Sequence, residues 1–430
     1  MRFVSTRGGV AATVLSDALA AGLAPDGGLF VPESMPVLVA SDFDHATTLA
    51  DTAAALLRPF FAGDRLAPAL DAICREAFDF AAPLHALEAN TFLLELFHGP
   101  TAAFKDYGAR FLAACLRRLR DPGDAPLTII VATSGDTGAA VGGAFHGIEG
   151  LRVVILYPDG RVSPRQAHQL GAFGGNVRAL RVAGSFDDCQ ALVKRALNDS
   201  ELQHAVPLSS ANSISLGRWL PQMAYYAHAA LTFRRERGEK LNFIVPTGNL
   251  GNALAAILAR EIGLPIGEIA LATNANDVLP RYFHGGDYAP RASLATLANA
   301  MDVGAPSNFE RLRWLYRDDA QLRGTFRATS VGDDAIRHTI TAVWKQHAVA
   351  VCPHTATALS VCKTLRDGGD TRPWAIAATA HPAKFESIVE PLIGTTVEPP
   401  PALAALLRRP ATAEPMAVDY AQFVRKLREN

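Results

Sequence analysis

The sequence predicts an α/β protein with mainly parallel sheets and a separate, mostly helical N-terminal region. Three observations lead there. From about Leu127 onward, short continuous apolar runs alternate with helical patterns, which is how strands buried on both faces read. Glycine-rich turns follow two of those runs and lead into helices, as loops at the carboxyl edge of a parallel sheet do. Residues up to about Glu88 are instead rich in alanine and leucine, with a Pro25-Asp-Gly-Gly28 turn among them.

In chain order, strands are predicted at 127–132, 152–157, 176–182, 242–245, 268–272, 349–352 and 374–377. Helices fall between them; Leu250, Leu254, Ile257 and Leu258, for example, share one helical face. The proline run 399–401 reads as a linker into a C-terminal helical tail. A chain of 430 residues suits two or three domains, and 49% hydrophobic with 19% charged residues is an ordinary globular balance. A net charge of −1 gives no electrostatic reason to expect nucleic acid or an anionic membrane as partner, so an anion site has to be local. The apolar stretch from Val10 is broken by Asp17 and reads as a first helix, not a leader peptide. Five scattered cysteines without a Cys-x-x-Cys read as buried reduced thiols of a cytoplasmic protein, with no metal site.

Two loops carry ligand-binding chemistry. Asn242-Phe-Ile-Val245 runs into Pro246-Thr-Gly-Asn-Leu-Gly-Asn252 and then a helix, so free amides and the helix dipole can meet a phosphate. Val131-Ala-Thr-Ser-Gly-Asp-Thr-Gly138 does the same with hydroxyls added, suiting a carboxylate or a phosphate. Each also reads as a capped turn when taken alone, and neither a P-loop nor a dinucleotide fingerprint is present. The segment Phe97-His-Gly-Pro-Thr-Ala-Ala-Phe-Lys-Asp-Tyr-Gly-Ala-Arg-Phe111 couples a turn to a helix with Tyr107, Phe111, Cys115 and Leu119 on one face. Lys105 opens that helix, where a permanent positive charge is disfavoured. A lysine that is neutral or forms an imine with an aldehyde cofactor fits the position.

These segments together resemble the threonine synthases, within the tryptophan synthase β-like (fold type II) enzymes that use pyridoxal 5′-phosphate. The resemblance also rests on Met1-Arg-Phe-Val-Ser-Thr-Arg-Gly-Gly9, Gly22-Leu-Ala-Pro-Asp-Gly-Gly-Leu-Phe-Val-Pro32, Ala211-Asn-Ser-Ile-Ser215, Ala272-Thr-Asn-Ala-Asn-Asp277 and Thr379-Ala-His-Pro-Ala-Lys-Phe385, in the same order. It covers nearly the whole chain and implies an N-terminal region at 1–88. A large cofactor-binding domain would comprise 89–119 and 227–430, and a small domain 120–226.

The resemblance implies that Lys105 binds the cofactor covalently and later moves protons. Gly248, Asn249, Leu250, Gly251 and Asn252 would cradle the cofactor phosphate, and Thr379 would meet the pyridine nitrogen. Ser134, Gly135 and Thr137 would face the substrate carboxylate, with Asp136 toward the cofactor's ring hydroxyl. Arg161, Ser163, Asn212, Ser213 and Arg218 are the expected pocket for the substrate's own phosphate. The implied reaction turns O-phospho-L-homoserine and water into L-threonine and phosphate. Two alternatives share parts of this pattern: another lyase of the fold, such as a serine/threonine dehydratase or cysteine synthase, and a non-catalytic threonine synthase-like protein. A monomer and a homodimer both remain open from sequence.

Overall fold

A computed structural model describes residues 1–429. The chain begins with β1 (Phe3–Ser5), which pairs antiparallel with β2 (Phe30–Pro32), so the two N-terminal motifs form one small ribbon. Helices Leu15–Ala21, Leu49–Leu57 and Leu70–Ala77 make up most of the rest of the N-terminal region. Its last residues are not helical: β3 (Leu84–Glu88) pairs antiparallel with β4 (Thr91–Glu95) and forms the edge of a six-stranded sheet.

The chain then crosses into a second sheet through the helix Lys105–Arg118. That sheet is built from β5 (Leu127–Ala132), β6 (Leu151–Pro158), β7 (Val177–Val182) and β8 (Leu208–Ser210), all parallel. It returns to the first sheet with β9 (Leu241–Pro246), β10 (Ile266–Thr273), β11 (Arg327–Ser330) and β12 (Trp374–Ala378). The six-stranded order is β11-β10-β9-β12-β4-β3. Strands β9 and β12 are buried at every position, because helices cover both faces, and this is why their sequences are apolar apart from Asn242, whose side-chain amide is hydrogen-bonded to the Pro373 carbonyl and the Glu268 amide.

Two expectations need correction. The run 349–352 forms no strand. Cys352 instead caps the helix Pro353–Asp367, its sulfur 3.5 Å from the Thr355 amide, with Pro353 at the first helical position. Val351 and Cys352 are buried in the core beside the six-stranded sheet, so an apolar run here signals helix-to-helix packing. The C-terminal tail has the expected helices, Pro401–Leu407 and Tyr420–Arg428, but between them β13 (Glu414–Met416) adds in parallel to β7. Arg178 of β7 fixes it, with Nε 3.1 Å from Glu414 Oε1 and Nη1 2.8 Å from the Lys426 carbonyl. The five-stranded order is therefore β13-β7-β6-β5-β8, with its edge supplied from the end of the chain.

Candidate active site

The carboxyl ends of β5, β9 and β12 converge on one cleft. Lys105 reaches it because its lead-in is tied to the end of β12. The Phe104 amide donates to the Thr379 carbonyl at 2.8 Å, and Ala103 and Ala380 form an isolated antiparallel bridge. Ala102 takes a left-handed conformation (φ 56°) to make this turn, and the Asp106 carboxylate holds it by accepting from the Thr101 amide and hydroxyl at 2.9 and 2.5 Å. Such a backbone conformation costs a non-glycine residue of order 1 kcal/mol, so the surrounding contacts are what hold it. Gly108, one turn later, lets the helix approach Arg218; a Cβ there would lie 2.6 Å from the Arg218 carbonyl oxygen.

The phosphate-type loop lies across the cleft. Leu250 is also left-handed (φ 63°) and immediately precedes the helix Gly251–Glu261, so the turn presents backbone amides toward the cleft. Gly248 packs where a Cβ would meet Met301 Cα at 2.7 Å. Asn249 Nδ2 donates to Ser213 Oγ at 2.7 Å, joining this loop to the 211–215 segment. Asn252 accepts from the Tyr225 and Tyr226 hydroxyls at 2.6 and 2.9 Å, which fixes its oxygen inward. Its Nδ2 is then a buried donor without a partner among the described residues. A buried donor of this kind costs stability unless a ligand meets it.

On the third wall, the Thr133 hydroxyl accepts from the Gly135 and Gly138 amides at 3.0 and 2.9 Å, shaping the turn that carries Ser134, Asp136 and Thr137. Gly135 (φ 124°) has to be glycine, since a Cβ would meet Gln166 Nε2 at 2.5 Å. Asp136 is buried and bonded to Lys384 Nζ at 2.7 Å and Gln166 Nε2 at 3.1 Å.

Electrostatics single out Lys105. Burial pushes its amine down to about 8, with Arg218 and Lys384 helping and Asp136 opposing. Burial also lowers the Arg218 guanidinium to about 10, and holds His354 neutral by lowering it to about 4. Asp136 is held well below the usual carboxylate range: burial opposes this, but the charges of Lys384 and Lys105 outweigh it.

Of the residues expected from sequence, the cleft brings together Lys105, Ser134, Asp136 and Thr137 from the first two segments. Asn212, Ser213 and Arg218 line it from the small-sheet side, and Gly248, Asn249, Leu250, Gly251, Asn252 and Thr379 from the large-sheet side. Gly135 shapes the turn from behind. Arg161 and Ser163 do not line the cleft. Arg161 is exposed in the turn after β6, and the Ser163 hydroxyl caps the helix Pro164–Gly171 while donating to the Lys384 carbonyl at 2.6 Å. Capping uses up the serine.

Three contributors went unnoticed in the sequence. Lys384 lies inside the Thr379–Phe385 motif, and its burial was the missing information. His354 accepts from the Ala300 amide at 3.1 Å and braces the segment over Gly248. Arg311 reaches from the helix Phe309–Leu315 to the carbonyls of Phe30 and Ile214, at 3.1 and 2.6 Å, and locks the N-terminal ribbon beside the 211–215 segment. No spacing rule pairs residues so far apart in sequence.

A lysine with a lowered pKa, facing a glycine loop at a helix N-terminus and an unpaired asparagine donor, suits an aldehyde cofactor bearing a phosphate. On this fold, such a site defines a pyridoxal 5′-phosphate-dependent enzyme of fold type II. Residues 80–382 match the family model of pyridoxal-phosphate dependent enzymes. Residues 2–78 match the threonine synthase N terminus and 355–426 the threonine synthase C-terminal model. The threonine synthase of Haemophilus influenzae is 40% identical over 409 residues, covering 95% of each chain. Among solved structures, threonine synthase from Escherichia coli superposes with a TM-score of 0.92 at 38% identity, over 99% of both chains. The PLP-bound threonine synthase from Brucella melitensis does so at 0.90 and 36%, over 100% of this chain and 99% of that one. The chain belongs to the threonine synthase family.

Proposed function

We propose that this chain converts O-phospho-L-homoserine and water into L-threonine and phosphate, in the cytoplasm, with Lys105 as its proton-transfer group. One observation carries the substrate choice: besides the Gly248–Asn252 loop, the cleft that holds Lys105 is lined by a buried cation, Arg218, whose Nε has no partner among the described residues, with Asn212 and Ser213 beside it. A lyase acting on an unphosphorylated amino acid needs one phosphate cradle, for the cofactor; a further cation with polar neighbours suits a substrate that carries a phosphate of its own.

Pyridoxal 5′-phosphate, when bound, supplies an electron sink conjugated to the substrate's amino group. Everything else falls to the chain. The loop amides and Asn252 Nδ2 would hold the cofactor phosphate, and the Thr379 hydroxyl would face the ring nitrogen. The Ser134 and Thr137 hydroxyls, with the amides of that turn, would take the substrate carboxylate. Asp136, already charged and paired, suits the ring hydroxyl better than a carboxylate. Arg218, Asn212 and Ser213 would grip the substrate phosphate until the Cγ–O bond breaks. A lysine lowered to about 8 exchanges protons readily near neutral pH, so Lys105 can take protons from Cα and then Cβ. It can return them to Cγ, which becomes the methyl group, and to Cα after water has added at Cβ.

The test is phosphate release from O-phosphohomoserine by the purified holoenzyme, with threonine identified as co-product in equal amount. Release of ammonia and a keto acid in place of threonine would establish a dehydratase, and no turnover with bound cofactor would point to a binding protein.

A further inference from the structure

Behind Lys105, two full charges are sealed inside the protein. Lys384 Nζ lies 2.7 Å from Asp136 Oδ1 and 2.9 Å from the Thr101 carbonyl, and both side chains are almost wholly inaccessible. A buried ion pair seldom stabilises a fold more than apolar residues of the same size would, so its presence beside a reactive lysine calls for another account.

The charges around Lys105 supply it. Asp136 favours the Lys105 ammonium, whereas Arg218 and Lys384 disfavour it. Asp136 in turn feels Lys384, Lys105 and His354, and burial keeps that histidine neutral. Gln166 contributes one neutral donor to Asp136. With Lys384 taken away, the remaining cation acting on Asp136 is Lys105 itself.

We propose that Lys384 is a positioning residue: by occupying Asp136 it prevents that carboxylate from capturing Lys105 as its ion-pair partner, leaving the Lys105 amine free to bind an aldehyde and to exchange protons. The inference rests on the reading that Lys105 is the cofactor lysine. The lowered pKa of Lys105 agrees with it: burial, with the charges of Arg218 and Lys384, outweighs the upward pull of Asp136 on the amine.

Competitive acetylation of the full-length chain, freed of cofactor, measures the Lys105 amine directly when followed by peptide mass spectrometry across pH. The wild-type midpoint is expected near 8. Lys384→Met should raise it by about one pH unit or more, roughly tenfold less free amine at neutral pH. Lys384→Arg should leave it in place. Asp136→Asn combined with Lys384→Met should bring it back, a non-additive pattern that a purely structural role does not produce. Should Lys384→Met fail to fold, Lys384→Gln keeps a donor for Asp136 and the same rise is expected. An unmoved midpoint in a folded variant, or a rise that persists in the double variant, overturns the proposal. Borohydride fixation of the wild-type holoenzyme separates the two ideas. Pyridoxyl on another lysine defeats the cofactor reading; pyridoxyl on Lys105 with an unmoved midpoint defeats only the role of Lys384.

Discussion

Replacing Arg218 with methionine separates binding from folding more cleanly than any other change in this cleft. The guanidinium is 2% exposed, and Nη1 contacts the Ala211 carbonyl at 2.5 Å. Nε has no partner among the described residues, and the carboxylate whose charge acts on the guanidinium, Asp106, is engaged by the Thr101 amide and hydroxyl. At about 10 it remains charged at neutral pH, so the fold carries a desolvated cation with one weak acceptor. Methionine fills similar space and removes that cost, while leaving the Ala211 carbonyl unpaired at about 1 kcal/mol. Stability should therefore stay within about 1 kcal/mol of the parent, or rise. Activity should not be spared. A charge-assisted hydrogen bond to a buried phosphate is worth roughly 1.5–3 kcal/mol, which corresponds to about a ten- to hundredfold loss in kcat/KM for O-phosphohomoserine. Phosphate release gives that number, a slow deamination of unphosphorylated serine gives the control, and thermal unfolding reports the fold. Equal losses on both substrates, or a Tm that drops with activity intact, would refute a substrate-phosphate role. Arg161→Ala, on the outer turn, should change kcat/KM by less than about twofold.

Lys105→Ala should still bind cofactor through the Gly248–Asn252 loop, but turnover should fall by about three orders of magnitude or more as measured by phosphate release. In Gly248→Ala, the new Cβ would lie 2.7 Å from Met301 Cα, against backbone that cannot swing aside. Displacing that segment should cost about 1–3 kcal/mol, seen as a roughly ten- to hundredfold rise in the Kd for pyridoxal 5′-phosphate with the fold retained. His354 is held neutral, down to about 4 against an ordinary 6.5, so between those values the unfolded chain binds the proton and the folded chain does not. Its contribution is present above about 6.5 and is lost as pH falls toward about 4; Tm should fall across that window, and His354→Gln, which keeps an acceptor for the Ala300 amide, should flatten the fall.

Strands and loops whose signal is local are legible in the amino-acid order. Buried parallel strands such as β5 and β9 are written as mostly apolar runs, each with a single polar residue, and the turns after them need glycine and short polar residues in a fixed order. The same local logic marked Lys105, Asn252 and Asp136, because a helix start or a glycine turn is legible within a few residues. It misread 349–352, where an apolar run packs between helices, while Arg161 and Ser163, expected from the resemblance, lie outside the cleft that the other expected residues line. Tertiary structure alone decided what no window of sequence contains. β13 joins β7 across more than two hundred residues, Arg311 ties the Gly22–Pro32 motif to the 211–215 segment, and Lys384 is carried to Asp136. A charged residue near the end of a motif reads as solvated until packing removes the water around it, so burial turned Lys384 from an ordinary surface lysine into the counter-charge of the site.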